Sequence, residues 1–458
     1  MKEYDYIAVG TGSAMSIVSA LLSNSEILPR IAVVENKTPG GICLTRGCIP
    51  SKMILYPAEL LAHMEDAKAF GLDIRVKNVD FSYIMKRMRG HIDKEVDQIR
   101  KGLSNSEYVD FYPEAGTFVD DYTLKVGDQT IRSEKIILGS GSRPLIPPID
   151  GLEDVDYLTS ETFLNIENLP KSTVIVGGGY IAAEYGFFLS KMGSRVTIIG
   201  RNSQFVPEEE EAISSVLRSH LSKHIDIYTG FEVTHVEDKR GKKTVYAKSA
   251  DGREIEVKAN EILIATGRRS NSDILRPDKT GVKTDEHGWI QVNEYMETSK
   301  PGIWSLGDAI GKYMFKHVAN HEAEVVYRNI LGDTRVKADY HAVPHAIFTY
   351  PEVASVGMKE SEAKEDHEVM IGHYKYEDTA KGSAMGAKDY FVKVVVEKKT
   401  YRILGAHIIG PHASILIQEI VNLMYTSTEN VVPIYRGMHI HPALSEVVQR
   451  AFSNLHSH

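Results

Sequence analysis

Tyr6-Ile7-Ala8-Val9-Gly10-Thr11-Gly12-Ser13-Ala14-Met15 and Val174-Ile175-Val176-Gly177-Gly178-Gly179-Tyr180-Ile181-Ala182 follow one plan. A short apolar run leads into a glycine cluster and then a helix-forming stretch. Each continues into a second apolar run, Ile31-Ala32-Val33-Val34-Glu35 in the first and Val196-Thr197-Ile198-Ile199 in the second. The order strand, tight turn, helix, strand is that of a βαβ unit that binds a dinucleotide. Gly10 and Gly12, and Gly177 and Gly179, allow the turn and let the backbone approach a pyrophosphate at the helix N-terminus. Ser13, Tyr180 and Ala182 lie at the same turns and join the candidate cofactor contacts. One such match is weak, but two in one chain predict two dinucleotide-binding α/β domains.

The two units differ where the second strand ends. The first ends in Glu35, whose carboxylate can accept from both ribose hydroxyls of an adenosine. The second ends in Gly200-Arg201, with no acid and a base following. A carboxylate about 4 Å from a ribose 2′-phosphate would repel it by roughly 4 kcal/mol per charge pair at an effective dielectric of 20. Gly200 removes that repulsion and Arg201 can attract the phosphate. The expectation is NADPH preferred over NADH, with NADH still used.

Between the units stands Gly40-Gly41-Ile42-Cys43-Leu44-Thr45-Arg46-Gly47-Cys48-Ile49-Pro50-Ser51-Lys52, which holds the chain's only two cysteines. A chain with one close pair and no others has no disulfide framework, so redox chemistry is expected of it. In a regular helix residues five apart have Cα atoms roughly 8–9 Å apart. A disulfide needs about 4.4–6.8 Å. Closing the ring requires a distorted turn, for which Gly40, Gly41 and Gly47 supply backbone freedom.

The 458 residues suggest about three domains. A net charge of −9 gives no reason to expect a nucleic-acid or anionic-membrane partner. No 18-residue apolar run appears, so no membrane span is expected. The N-terminus enters a strand without the layout of a signal peptide, and a reduced, cytoplasmic location is expected. Beyond residue 330 the pattern changes. Tyr390-Phe391-Val392-Lys393-Val394-Val395-Val396 and Ile403-Leu404-Gly405-Ala406-His407-Ile408-Ile409 read as antiparallel strands. Helices are expected at roughly Ala413 to Tyr425 and Pro442 to Leu455. The closing Asn454 to His458 reads as a frayed terminus, and its two histidines make no metal site.

The cysteine motif resembles the active site of the class I pyridine nucleotide–disulfide oxidoreductases, which include dihydrolipoyl dehydrogenase and mycothione reductase. Other stretches match in the family's order. Leu138-Gly139-Ser140-Gly141-Ser142-Arg143-Pro144 and Ala265-Thr266-Gly267-Arg268-Arg269 resemble the crossovers between nucleotide domains. Gly302-Ile303-Trp304-Ser305-Leu306-Gly307-Asp308-Ala309 resembles the second flavin motif, and His441-Pro442-Ala443-Leu444-Ser445-Glu446 the C-terminal base motif.

The resemblance implies two Rossmann-like domains, for FAD and NAD(P), plus a C-terminal α+β dimerisation domain. The expected spans are 1–150 and 270–336 for FAD, 151–269 for NAD(P), and 337–458 for dimerisation. It implies non-covalent FAD, NADPH or NADH, and a homodimer. Cofactor contacts are implied for Gly10, Gly12, Ser13, Glu35, Lys52, Gly141 and Asp308. On the nicotinamide side they are implied for Gly177, Gly179, Tyr180, Ala182, Arg201 and Gly267. Cys48 would face the flavin as the charge-transfer thiolate, and Cys43 would exchange with substrate. Lys52 would serve the flavin, held by Glu184. His441 would act as acid and base from the other subunit, held by Glu446, while His439 lacks such support and reads as structural.

Two cysteines alone exclude mercuric reductase and high-molecular-weight thioredoxin reductase, which need a further redox pair. The expected function is dihydrolipoyl dehydrogenase acting on a small dithiol, with a 2-oxoacid dehydrogenase complex as a possible partner. The alternative is an NADPH-dependent reductase of a low-molecular-weight disulfide, of mycothione or glutathione reductase type. Met15, which stands where a third glycine is usual, and Lys316-His317-Val318-Ala319-Asn320-His321-Glu322-Ala323 both lean towards mycothione reductase.

Overall fold

The computed structural model describes residues 1–24, 28–332 and 335–457. Tyr6–Val9 and Ile31–Val34 are adjacent parallel strands of a five-stranded parallel sheet. Its order is Ile303–Ser305, Ile136–Leu138, Tyr6–Val9, Ile31–Val34, Val109–Tyr112. The edge strand Ile303–Ser305 is contributed from beyond the second nucleotide fold, so that fold is an insertion in the first. The strands are buried on both faces, which is why they read as continuous apolar runs rather than as alternation.

The second five-stranded sheet is also parallel, in the order Leu158–Thr159, Glu261–Ile264, Ser172–Val176, Arg195–Gly200, Ile225–Thr229. The first glycine of each cluster does the same work. Gly10 has φ +97°, and a Cβ there would lie 2.1 Å from the Gly139 carbonyl oxygen. Gly177 has φ +126°, and its Cβ would lie 2.1 Å from the Ala265 carbonyl oxygen. In both folds the turn therefore packs directly against the end of the neighbouring strand, which no side chain would permit. Ser142–Pro144 and Arg268–Ser270 pair antiparallel where the chain crosses between the folds.

The third unit is a six-stranded antiparallel sheet: Pro344–Ile347, Val353–Gly357, Ile403–Ile409, Phe391–Glu397, Val369–Lys375, Leu455–Ser457. Helices Ala413–Met424 and Ser445–Ser453 pack on it around Val392, Val394, Ile408 and Phe452. The expected frayed terminus is corrected at residues 455–457, while His458 lies outside the described residues. Leu455–Ser457 adds an edge strand, with Met370 opposite Ser457 and Gly372 opposite Leu455. Among the described residues no helix is long and apolar enough to cross a membrane.

Candidate active site

The cysteines lie on either side of a helix break. Helix Gly41–Arg46 ends at Gly47, and helix Cys48–Asp66 starts immediately after it. A Cβ at Gly47 would lie 2.9 Å from the Ile42 carbonyl oxygen, so the break depends on glycine. Cys43 is half-buried and Cys48 is exposed. Their side chains are hydrogen-bonded to each other. The bond from Cys48 stabilises a thiolate on Cys43 and brings that thiol down to about 7, with Lys316 helping through its charge. The same bond, burial and the Cys43 charge push Cys48 up, against the pull of Lys52. The pair therefore forms one negative charge readily, drawn by Lys316 on one side and Lys52 on the other.

Behind Cys48, Lys52 Nζ donates to Glu184 Oε1 at 3.0 Å and Oε2 at 2.8 Å. The Glu184 side chain is 5% exposed and also accepts from the Phe348 backbone N–H at 3.0 Å. Helix Tyr180–Met192 carries Glu184, so this pair ties the cysteine helix to the second nucleotide fold.

Cys43 and Cys48 open onto a cleft lined by Gly10, Gly12, Ser13, Glu35, Gly141 and Asp308. Glu35 ends its strand and accepts from the Thr11 backbone N–H at 3.0 Å, the Thr11 hydroxyl at 2.7 Å and the Lys37 N–H at 3.0 Å. Asp308 accepts from Ser142 Oγ at 2.5 Å. An FAD would fit here. The buried Ser140 hydroxyl lines the cleft without a hydrogen-bond partner among the described residues. Gly12 and Gly41 approach so closely that a Cβ on Gly41 would lie 2.5 Å from the Gly12 Cα. Helix Ala14–Asn24 starts at the same wall.

On the second fold, Gly177 and Gly179 precede helix Tyr180–Met192, which includes Ala182. Burial pushes the Tyr180 hydroxyl up to about 12. Gly200 ends its strand against the glycine loop, where a Cβ would lie 3.1 Å from the Gly178 Cα. Arg201 is exposed and makes no ion pair among the described residues. Gly267, with φ +111°, lies at the crossover, where its carbonyl accepts from the Leu145 N–H.

Within the chain, His441 is apart from the cysteines and does not line the cleft. Its side chain is 71% exposed, and Nδ1 lies 3.0 Å from Glu446 Oε1. The His441 contact holds the Glu446 carboxyl below its ordinary range, helped by the Ala443 N–H. His439 Nε2 is paired with Glu419 Oε1 at 3.0 Å.

Glu161 was not singled out by its sequence context. It takes Lys37 at 3.0 Å, Arg46 at 3.3 Å and Arg268 at 3.5 Å, joining three segments around the cleft. Lys316 opens the Lys316–Ala323 stretch, and nothing else in its sequence context sets it apart. Its ammonium lines the same cleft.

The model of the pyridine nucleotide-disulphide oxidoreductases matches residues 4–323, and that of their dimerisation domain matches 343–452. Mycothione reductase of Mycobacterium tuberculosis is 35% identical, over 99% of this chain and 100% of its own length. Dihydrolipoyl dehydrogenase of Chlamydia muridarum is 32% identical, over 97% of this chain and 95% of its own. The HOCl-induced flavoprotein disulfide reductase RclA from Escherichia coli, solved as a Cu(II) complex, superposes with a TM-score of 0.88 at 24% identity, over 99% of both chains. That likeness speaks to the fold. Two nucleotide folds, a cysteine pair across a glycine break and two matching domain models agree on one conclusion: the chain belongs to the pyridine nucleotide-disulphide oxidoreductases, FAD-dependent enzymes that use NAD(P)H and act on sulfur.

Proposed function

We propose that this chain is the subunit of a homodimeric, cytoplasmic reductase that uses NADPH to reduce a small disulfide. Bound FAD supplies two-electron transfer between the nicotinamide and the Cys43–Cys48 pair. Lys52, fixed by Glu184, holds a positive charge on the flavin side of the cysteine helix. Cys43, ionised near neutral pH, attacks the substrate disulfide, since only the thiolate is nucleophilic. His441 of one subunit, oriented by Glu446, returns a proton to the leaving sulfur at the other subunit's cysteines.

The observation that carries this reading is Gly200. The strand Arg195–Gly200 of the second nucleotide fold ends in Gly200, packed against Gly178, and Arg201 follows with no ion pair among the described residues. There is no carboxylate at that strand end to repel a 2′-phosphate. The full-length similarity to a mycothione reductase supports a free low-molecular-weight disulfide as substrate. A second reading is dihydrolipoyl dehydrogenase, docked on a 2-oxoacid dehydrogenase core. The similarity to the chlamydial enzyme favours it.

Steady-state kcat/KM of the purified enzyme decides between them. NADPH and NADH are compared in wild type and Arg201→Ala, with lipoamide and the disulfides of glutathione, mycothiol and γ-glutamylcysteine as substrates. NADPH should be preferred, and Arg201→Ala should erode that preference about tenfold, the worth of one charge-assisted contact. A preference for NADH that the mutation leaves unchanged, together with turnover of lipoamide alone, would establish the second reading.

A further inference from the structure

Lys316 is the first residue of helix Lys316–Leu331. Its Nζ donates to Ser13 Oγ at 2.8 Å, and Ser13 Oγ donates to Asn320 Oδ1 at 2.9 Å. Lys316 and Asn320 are four apart and share one face of their helix, so together they clasp the Ser13 hydroxyl. Ser13 belongs to the glycine cluster that opens helix Ala14–Asn24. The ammonium is thus tethered at the N-terminus of the helix where a bound dinucleotide places its diphosphate. It lines the same cleft as Gly12, Ser13 and Asp308.

Several features argue against an ordinary surface lysine. Lys316 makes no ion pair with a carboxylate among the described residues, although many of the chain's other cations do. Its hydrogen-bond partner is a neutral hydroxyl, which leaves the positive charge uncompensated. The N-termini of two helices converge on the same cleft, adding partial positive charge. Glu35 and Asp308 line the cleft too, but Glu35 is held by Thr11 and Lys37 and Asp308 by Ser142, so three sources of positive potential still make a site for a group carrying negative charge. The Cys43 thiolate uses part of that potential, and its thiol is lowered by the Lys316 charge.

We propose that Lys316 is the counter-charge to the diphosphate of bound FAD, aimed there by Ser13 and Asn320. The departure at Ser13-Ala14-Met15 and the Lys316 motif then form one device. A hydroxyl in the loop holds a lysine that supplements the backbone amides of the turn. The inference rests on the family's flavin binding and is independent of which disulfide is reduced.

The test is FAD release from the full-length holoenzyme on dilution, followed by flavin fluorescence. The proteins are wild type, Lys316→Gln, Lys316→Arg and Ser13→Ala, with thermal melts to establish that each is folded. Loss of one charge-assisted contact should raise the Kd for FAD about tenfold in Lys316→Gln. Lys316→Arg should restore most of it, and Ser13→Ala should show a smaller loss, because the charge remains but is no longer aimed. ADP carries the diphosphate without the flavin. Measured by displacement of FAD, it should lose affinity in Lys316→Gln by the same factor. An unchanged Kd for FAD overturns the proposal. A loss for FAD with none for ADP also overturns it, because the ammonium would then serve the flavin ring.

Discussion

Lys52 and Glu184 meet at 2.8 Å across the junction of the cysteine helix and the second nucleotide fold, 132 residues apart in sequence. Glu184 also accepts from the Phe348 N–H, so one carboxylate links the cysteine helix, the nicotinamide-side helix and the start of the third domain. The position of the lysine charge therefore depends on how the three units pack.

That dependence separates two substitutions. Glu184→Gln keeps an acceptor for the Phe348 N–H and removes only the charge. Glu184→Ala removes both and leaves a half-buried backbone donor without its acceptor. Chemical denaturation should find the alanine variant less stable than the glutamine variant by on the order of 1–3 kcal/mol. Both should slow flavin reduction by the nicotinamide in stopped flow. Equal stabilities would mean that the Phe348 contact contributes nothing.

The coupled thiols give a pH prediction. The hydrogen bond from Cys48 is the largest cause of the lowered Cys43 thiol. In the reduced enzyme, iodoacetamide should therefore alkylate Cys43 with a midpoint near pH 7, the thiolate fraction growing as pH rises through it. Cys48→Ala removes the donor, and the midpoint should move up towards that of an ordinary thiol. Mass spectrometry after alkylation locates the adduct. First modification on Cys48 in wild type would place the first charge on the sulfur that the family resemblance implies.

The βαβ units and the cysteine pair were legible because their information is local. A glycine cluster, the strand before it and the residue at the next strand end all lie within about thirty positions. The strands at 391–397 and 403–409 showed for the same reason, since a β-rich run with a turn signal needs no distant partner to be recognised. What escaped was long-range. Leu455–Ser457 is a strand only because Val369–Lys375 offers it an edge. Glu161 gains its role from three cations on separate segments. Lys316 and Ser13 are 303 residues apart, and nothing in either stretch alone points to the other.

His441 carries the shared-site prediction. It is exposed, oriented by Glu446, and absent from the cleft that holds Cys43 of its own chain. His441→Ala and Cys43→Ser should each abolish disulfide reduction in the homodimer. After subunit exchange, a mixed dimer has one site with both groups intact, so random pairing should restore about a quarter of wild-type turnover. Mixed dimers demonstrated by mass spectrometry but without recovered turnover would place the acid–base group within a single subunit.

Glu322 gives the pH dependence of stability. Its side chain is 0% exposed, accepts from the Gly307 N–H at 2.6 Å and from the Tyr340 hydroxyl at 2.8 Å, and so anchors the backbone just before Asp308. Burial pushes its carboxyl up to about 7 from an ordinary 4.5. An acid with a raised folded-state value binds more protons folded than unfolded between those two pH values. Stability must then fall as pH rises across that window, by a few kcal/mol at most at about 1.4 kcal/mol per pH unit. Glu322→Gln keeps an acceptor and cannot ionise. The melting temperature of wild type relative to Glu322→Gln should therefore be highest near pH 5 and should decline towards pH 8, where the buried carboxylate is charged. A difference that stays constant across this range would show that Glu322 does not change its ionisation there. A difference that grows with pH would show that its two donors stabilise the carboxylate more than burial penalises it.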